Sequence, residues 1–127
     1  MTLRIGFDLE SPAHVGESLA AHGERYLRRV YTAAEIADCR RAGVVDPRLL
    51  AARFGAKEAA FKAIGVGAAA ASWRDVEVLR GPSGNPRLVL RGDVATLAEA
   101  AGIRELSLSL SFASGVAAAI VIASVSG

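Results

Sequence analysis

Residues 47–64, PRLLAARFGAKEAAFKAI, constrain what this chain can fold into more than any other stretch. Asp46-Pro47 is a strong helix start, with Asp as the cap and Pro in the first turn, and Gly65 is the matching stop. At about 100° per residue, Leu50, Phe54, Phe61 and Ile64 form one apolar stripe. The opposite side carries Leu49, Ala52, Gly55, Ala56, Ala59 and Ala63, where a surface helix would show polar residues. The helix is therefore expected to be covered on most sides. Yet beyond its first turn it carries Arg53, Lys57, Glu58 and Lys62, and Lys57 falls in the middle of the Phe54–Phe61 stripe. A buried charge needs a partner, a metal or a ligand. Two readings are open. One is an internal salt-bridge set, with Glu58 and Lys62 in the favourable i,i+4 order. The other is a site where two excess positive charges beside one carboxylate hold a metal and phosphates together.

The rest of the chain supplies what covers that helix. Residues 3–9 read as a strand, with Ile5, Phe7 and Leu9 on one face and Gly6, Asp8 and Glu10 on the other. Helices are expected over 12–22 and near Glu24–Val30. A third, opened by a Thr32/Glu35 capping box, is expected to run to about Ala42. Residues 76–80 and 87–91 read as a hairpin around Gly81-Pro82-Ser83-Gly84-Asn85-Pro86. Asp93 is expected to cap a helix over 94–101. Two strands follow, 105–111 and 116–124, joined at Ala113-Ser114-Gly115. This order implies an α+β fold with a mainly antiparallel sheet packed on helices, in a single domain over 1–127.

Composition narrows the function. No apolar run reaches membrane-spanning length, and MTLRIGFDLE lacks an apolar signal core, so a cytoplasmic protein is expected. The single cysteine, Cys39, allows no internal disulfide and no zinc cluster, and His14 and His22 have no third histidine to complete a site. A net charge of +2 is too weak for a nucleic-acid claim but suits an acidic partner or a phosphorylated ligand. In Asp8-Leu9-Glu10 the two carboxylates share a strand face roughly 6.6 Å apart along the chain. Oxygen ligands of this kind suit magnesium, which also takes substrate phosphate oxygens.

Four segments carry a resemblance to a known family. They are Ile5-Gly6-Phe7-Asp8-Leu9, the run Ala52–Gly65 (ARFGAKEAAFKAIG), Gly84-Asn85-Pro86, and the closing hairpin from Leu106 to Ile122. Together they resemble the small, holo-acyl-carrier-protein synthase type of 4′-phosphopantetheinyl transferase. The Arg-Phe-x-x-Lys-Glu-Ala-x-x-Lys-Ala-x-Gly run is the family's most specific motif. The resemblance implies that Asp8 and Glu58 coordinate magnesium. It implies that Lys57, Lys62 and Arg53 contact the phosphates of coenzyme A, that Gly65 begins the loop beneath the pyrophosphate, and that Asn85 and Pro86 lie beside the nucleotide. Ser111 is expected to reach coenzyme A. Lys62 would stabilise the leaving phosphate and could donate a proton; Glu58 or a water carried by the metal would be the base. The partners implied are coenzyme A and an acyl carrier protein, in a homotrimer with coenzyme A bound between subunits. No membrane or nucleic acid is implied. Arg25, Arg28 and Arg29 cluster on a short helix and are candidates to meet an acidic carrier.

Three positions depart from the family pattern. Phe112 stands where the family often has a histidine, and it cannot exchange a proton. Gly65-Val66-Gly67 replaces a Gly-Thr-Gly loop and loses a hydroxyl. Glu10 replaces an apolar residue, and we expect it to be a third metal ligand. Phe112 and Val66 motivate the competing reading, a degenerate fold that binds coenzyme A or a carrier protein without catalysis.

Overall fold

The computed structural model describes residues 1–67 and 72–126. The elements in chain order are β1 (Thr2–Glu10), α1 (Pro12–His22), α2 (Glu24–Val30), α3 (Ala33–Asp38), β2 (Arg40–Arg41), β3 (Val44–Val45) and α4 (Pro47–Ile64). A 3-10 turn at Trp73–Asp75 follows, then β4 (Val76–Arg80), β5 (Pro86–Leu90), α5 (Gly92–Ala100), β6 (Ile103–Ala113) and β7 (Val116–Val125). All strand pairs among the described residues are antiparallel: the main sheet runs β1-β7-β6, and β2-β3 and β4-β5 are hairpins. The α+β expectation holds.

The helix α4 lies across the main sheet, and most of its length is buried. Its alanines are small because the sheet comes close. A Cβ on Gly6 of β1 would sit 1.7 Å from the Ala59 carbonyl oxygen, inside any possible contact. Only glycine lets β1 approach α4 at that point, and this closeness brings the next inward residue, Asp8, over the helix. On one side of α4, Phe61 and Ile64 pack with Val76, Val78, Val94 and Val121. On the other, Leu50 and Ala51 pack with Val15, Leu27, Val30 and Tyr31 from the N-terminal helices. Cys39 lies within this second cluster, fully buried, and burial pushes its thiol up to about 11.

Two boundaries differ from the sequence reading. The capping box at Thr32 and Glu35 is present, but α3 ends at Asp38 rather than near Ala42. Ala42 and Gly43 both take positive φ, 53° and 79°, and fold Arg40–Arg41 back onto Val44–Val45. Hairpin pairing and the Asp46 N–H donating to the Cys39 carbonyl outcompete helix continuation there. Asp93 sits inside the first turn of α5, not at its cap, which is Arg91 with no side-chain cap bond. A carboxylate in that turn still favours the helix dipole.

Candidate active site

The inward face of β1 delivers Asp8 and Glu10 against α4. Gly55 faces them: a Cβ there would lie 3.5 Å from Glu10 Cγ and 3.8 Å from Asp8 Oδ2. Lys62 reaches across from α4 and donates to Asp8 Oδ1 at 3.1 Å and to the Phe7 carbonyl at 2.9 Å. It does not pair with Glu58. Glu58 Oε1 instead accepts the indole N–H of Trp73 at 3.0 Å. Trp73 is half-buried and reaches this site. Asp8 Oδ2 is buried and has no hydrogen-bond donor.

Lys57 is a correction to the sequence reading. Its ammonium is 0% exposed and cannot reach a phosphate. It donates to Glu35 Oε1 at 2.7 Å, to the Trp73 carbonyl at 3.0 Å, and to the Val76 carbonyl. Burial lowers its pKa, while the Glu35 carboxylate opposes that shift. Glu35 also accepts from the Thr32 and Val78 backbone N–H groups. The pair therefore staples α3, α4 and β4 together. The internal salt-bridge reading paired Glu58 with Lys62, which do not meet; the buried pair is Lys57 with Glu35, from the capping box on α3, 22 residues away.

The remaining candidates divide. Arg53, Asn85 and Pro86 line one groove of about 620 Å³, together with Arg80, Arg87 and Ser109. Arg53 is buried, its Nε has no acceptor, and the nearest acid, Asp38, is 3.8 Å away. Arg53 lines the groove with a small part of its guanidinium, while its unpaired Nε is buried and does not open onto it. Ser111 and Gly65 do not line that groove. Ser111 is exposed on β6 opposite Ala118, and Gly65 is the left-handed cap of α4 at φ 86°. The groove lies along β6 and the carboxylates on β1, the two outer strands of the main sheet.

Residues 4–121 match the model of the 4′-phosphopantetheinyl transferase superfamily. The holo-[acyl-carrier-protein] synthase of Desulforudis audaxviator is 43% identical over 123 residues, spanning 97% of this chain and 93% of that protein. The holo-[acyl-carrier-protein] synthase of Koribacter versatilis is 42% identical over 124 residues, spanning 96% and 98%. This chain belongs to the holo-[acyl-carrier-protein] synthase family. The synthase of Neisseria meningitidis superposes with a TM-score of 0.84 at 30% identity, covering 95% of this chain and 97% of that one. That of Helicobacter pylori, solved in complex with coenzyme A, gives 0.82 at 28% identity, covering 94% and 99%.

In this synthase the donor set fits a hard divalent cation. Asp8 Oδ2 is buried without a donor, so it needs a proton or a cation nearby, and Glu58 and Glu10 add further carboxylate oxygen. The expected trio of Asp8, Glu10 and Glu58 is not a closed cage: among the described residues no three such side chains converge. Magnesium ordinarily takes one or two carboxylates plus substrate phosphate oxygens, which suits an open site. Glu10 is pushed up to about 8, first by burial, then by the Asp8 carboxylate beside it and by the Glu58 charge; only Lys62 opposes. The metal-free fold thus keeps a proton on Glu10 that the unfolded chain loses near 4.5, so stability falls as pH rises from there through about 8. Glu10→Gln removes that slope. Melting temperatures measured from pH 5 to 9 in chelator should converge at low pH, with the variant ahead at high pH.

Phe112, at the family's histidine position, is 41% exposed with the Arg48 guanidinium 5.2 Å over its ring. The pair is a cation–π contact and offers no group that titrates near neutral pH.

Proposed function

We propose that this chain transfers the 4′-phosphopantetheine arm of coenzyme A to a serine of an apo-acyl carrier protein, releasing 3′,5′-ADP, with magnesium as cofactor. The observation that carries this reading is the Asp8 carboxylate, one oxygen held by Lys62 and the other buried with no donor, beside Glu58 and Glu10. Asp8 and Glu58 would hold the metal, with Glu10 next to them. A magnesium ion held by these carboxylates would supply positive charge to offset that of the pyrophosphate. The serine hydroxyl gives up its proton to Glu58 or to a water, its oxygen bonds to the β-phosphorus, and the bond to the bridging oxygen breaks so that 3′,5′-ADP leaves. Lys62, tethered at two points yet half in solvent, is placed to meet charge developing on the leaving phosphate. Arg53, Arg80 and Arg87 give the groove the charge to seat the nucleotide phosphates, with Asn85 and Pro86 at its wall. The work is positioning and electrostatics.

The two halves lie on opposite edges of the sheet, which supports a site completed between copies. The outer face of β1 supports the same reading. Leu3, Ile5, Phe7 and Leu9 are each more than half exposed, next to exposed Ile120 and Ile122 on β7. An uncovered apolar sheet face of this kind supports an interface between copies, which we read as that of a homotrimer. Arg25, Arg28 and Arg29 on α2 are exposed, while Leu27 and Val30 anchor the helix; Arg28 pairs with Glu24 at 3.1 Å in solvent, and the three present a basic face that suits an acidic carrier. No described helix is long and apolar enough to cross a membrane.

The test is intact-mass spectrometry of apo-acyl carrier protein after incubation with this protein, coenzyme A and magnesium. The expected outcome is a phosphopantetheine-sized gain that stops when the metal is chelated. No gain with fatty-acid and polyketide carriers alike, despite coenzyme A binding, would overturn transfer in favour of a binding-only protein.

A further inference from the structure

Trp73 is gripped by two consecutive residues of α4. Lys57 donates to its carbonyl at 3.0 Å, and Glu58 accepts its indole N–H at 3.0 Å. The ring packs on Phe54, one helical turn before Glu58, at 5.9 Å between centroids with the planes tilted by 36°. Trp73 also sits at the seam of the two hydrophobic clusters. Its backbone is set from the far side, because Ser72 opens the 3-10 turn by accepting the Arg74 N–H. The indole is thus fixed by packing, by the turn and by the buried Lys57–Glu35 pair before it meets Glu58. An N–H held so firmly dictates where the carboxylate points.

We propose that Trp73 is the positioning residue for Glu58: it anchors Oε1 so that Oε2 faces the Asp8 side of the cleft in one orientation. The inference rests on the reading of Glu58 as a metal ligand. Among the described residues Glu58 makes no other side-chain hydrogen bond and no ion pair, since Lys62 is taken by Asp8. Without the indole its carboxylate would rotate freely on a long side chain, and the metal would have to order it on binding. Outer partners of metal ligands typically change metal affinity by about 10–100-fold. The geometry also makes Trp73, the sole tryptophan of the chain, a reporter of charge at Glu58.

The experiment titrates magnesium into the full-length protein saturated with coenzyme A, with no carrier present, so nothing turns over. Binding is read by calorimetry and by tryptophan emission. In the unaltered protein the emission is expected to change saturably, and Glu58→Gln to abolish that change. Trp73→Phe keeps an aromatic ring beside Phe54 while removing the N–H together with the pyrrole half of the indole, so melting curves are recorded alongside. It is expected to weaken magnesium binding on the order of tenfold while coenzyme A affinity stays within about twofold. Unchanged magnesium affinity in Trp73→Phe, with Glu58→Gln defective, would overturn the positioning role alone. Normal magnesium binding in Glu58→Gln would overturn the metal assignment and the inference with it. A flat emission titration in a protein that binds magnesium by calorimetry would also overturn the inference, and it does so without any variant having to fold.

Discussion

Lys57→Met lowers the stability of the fold by ~3–5 kcal/mol, a fall in Tm on the order of 10–20 °C. The size follows from what is left behind. Lys57 and Glu35 are both fully buried and 2.7 Å apart. Removing the ammonium strands the Glu35 carboxylate in the core and takes a donor from the Val76 carbonyl and from the Trp73 carbonyl, which keeps only the Val76 N–H. Breaking a buried pair from one side is far more costly than replacing both members, so Lys57→Met/Glu35→Gln should recover much of the loss. Urea unfolding of the single and double variants checks both statements. A mild stability loss with a large rise in KM for coenzyme A would contradict this and return Lys57 to the phosphates.

Asp8→Asn and Glu58→Gln do the opposite: transfer falls on the order of a thousandfold while the fold persists. Losing a charge that holds a metal against a developing phosphate removes several kcal/mol of transition-state stabilisation, and each 1.4 kcal/mol or so is tenfold in rate. The fold does not depend on these carboxylates in the same way. The Asp8–Lys62 pair is open at its lysine end, which is more than half exposed, and such pairs contribute little to stability. Asp8 Oδ2 already lacks a donor, so an amide there strands nothing new and can donate to Glu10. Single-turnover rates by carrier mass, alongside melting curves, check the pair. Near-normal transfer in both variants would sink the metal site; loss of transfer together with a collapsed Tm would mark the residues as structural. Lys57 and Glu58 are neighbours in sequence, yet these results should separate them, one holding the core and the other the chemistry.

Much of this was legible in the residues because local chemistry decides it. Asp46-Pro47 and Gly65 bracket α4 as read, since caps act within a turn. The alternation in residues 3–9 put Asp8 and Glu10 on one strand face, and the small residues of α4 announced a covered helix; which face of β1 turns inward was not legible, because the apolar Ile5, Phe7 and Leu9 are the exposed ones. Other features depended on contacts far apart in the chain. Gly6 carries no local signal of its need, which arises only because the Ala59 carbonyl stands where its Cβ would be. The end of α3 moved because strand pairing across Ala42-Gly43 won over helix propensity. Whether Lys57 meets a phosphate or a carboxylate cannot be read from spacing, because Glu35 and Val76 arrive through tertiary packing. The same holds for Trp73 on Glu58. By itself the sequence determined most of the elements, the family motif and which residue types carry charge inside, since periodicity, caps and glycines act over a few residues; the β2-β3 hairpin was not among them. Only the tertiary structure decided which of those charges face each other and which face a cleft, because in a low-dielectric interior that choice depends on partners brought within about 3 Å by the whole fold.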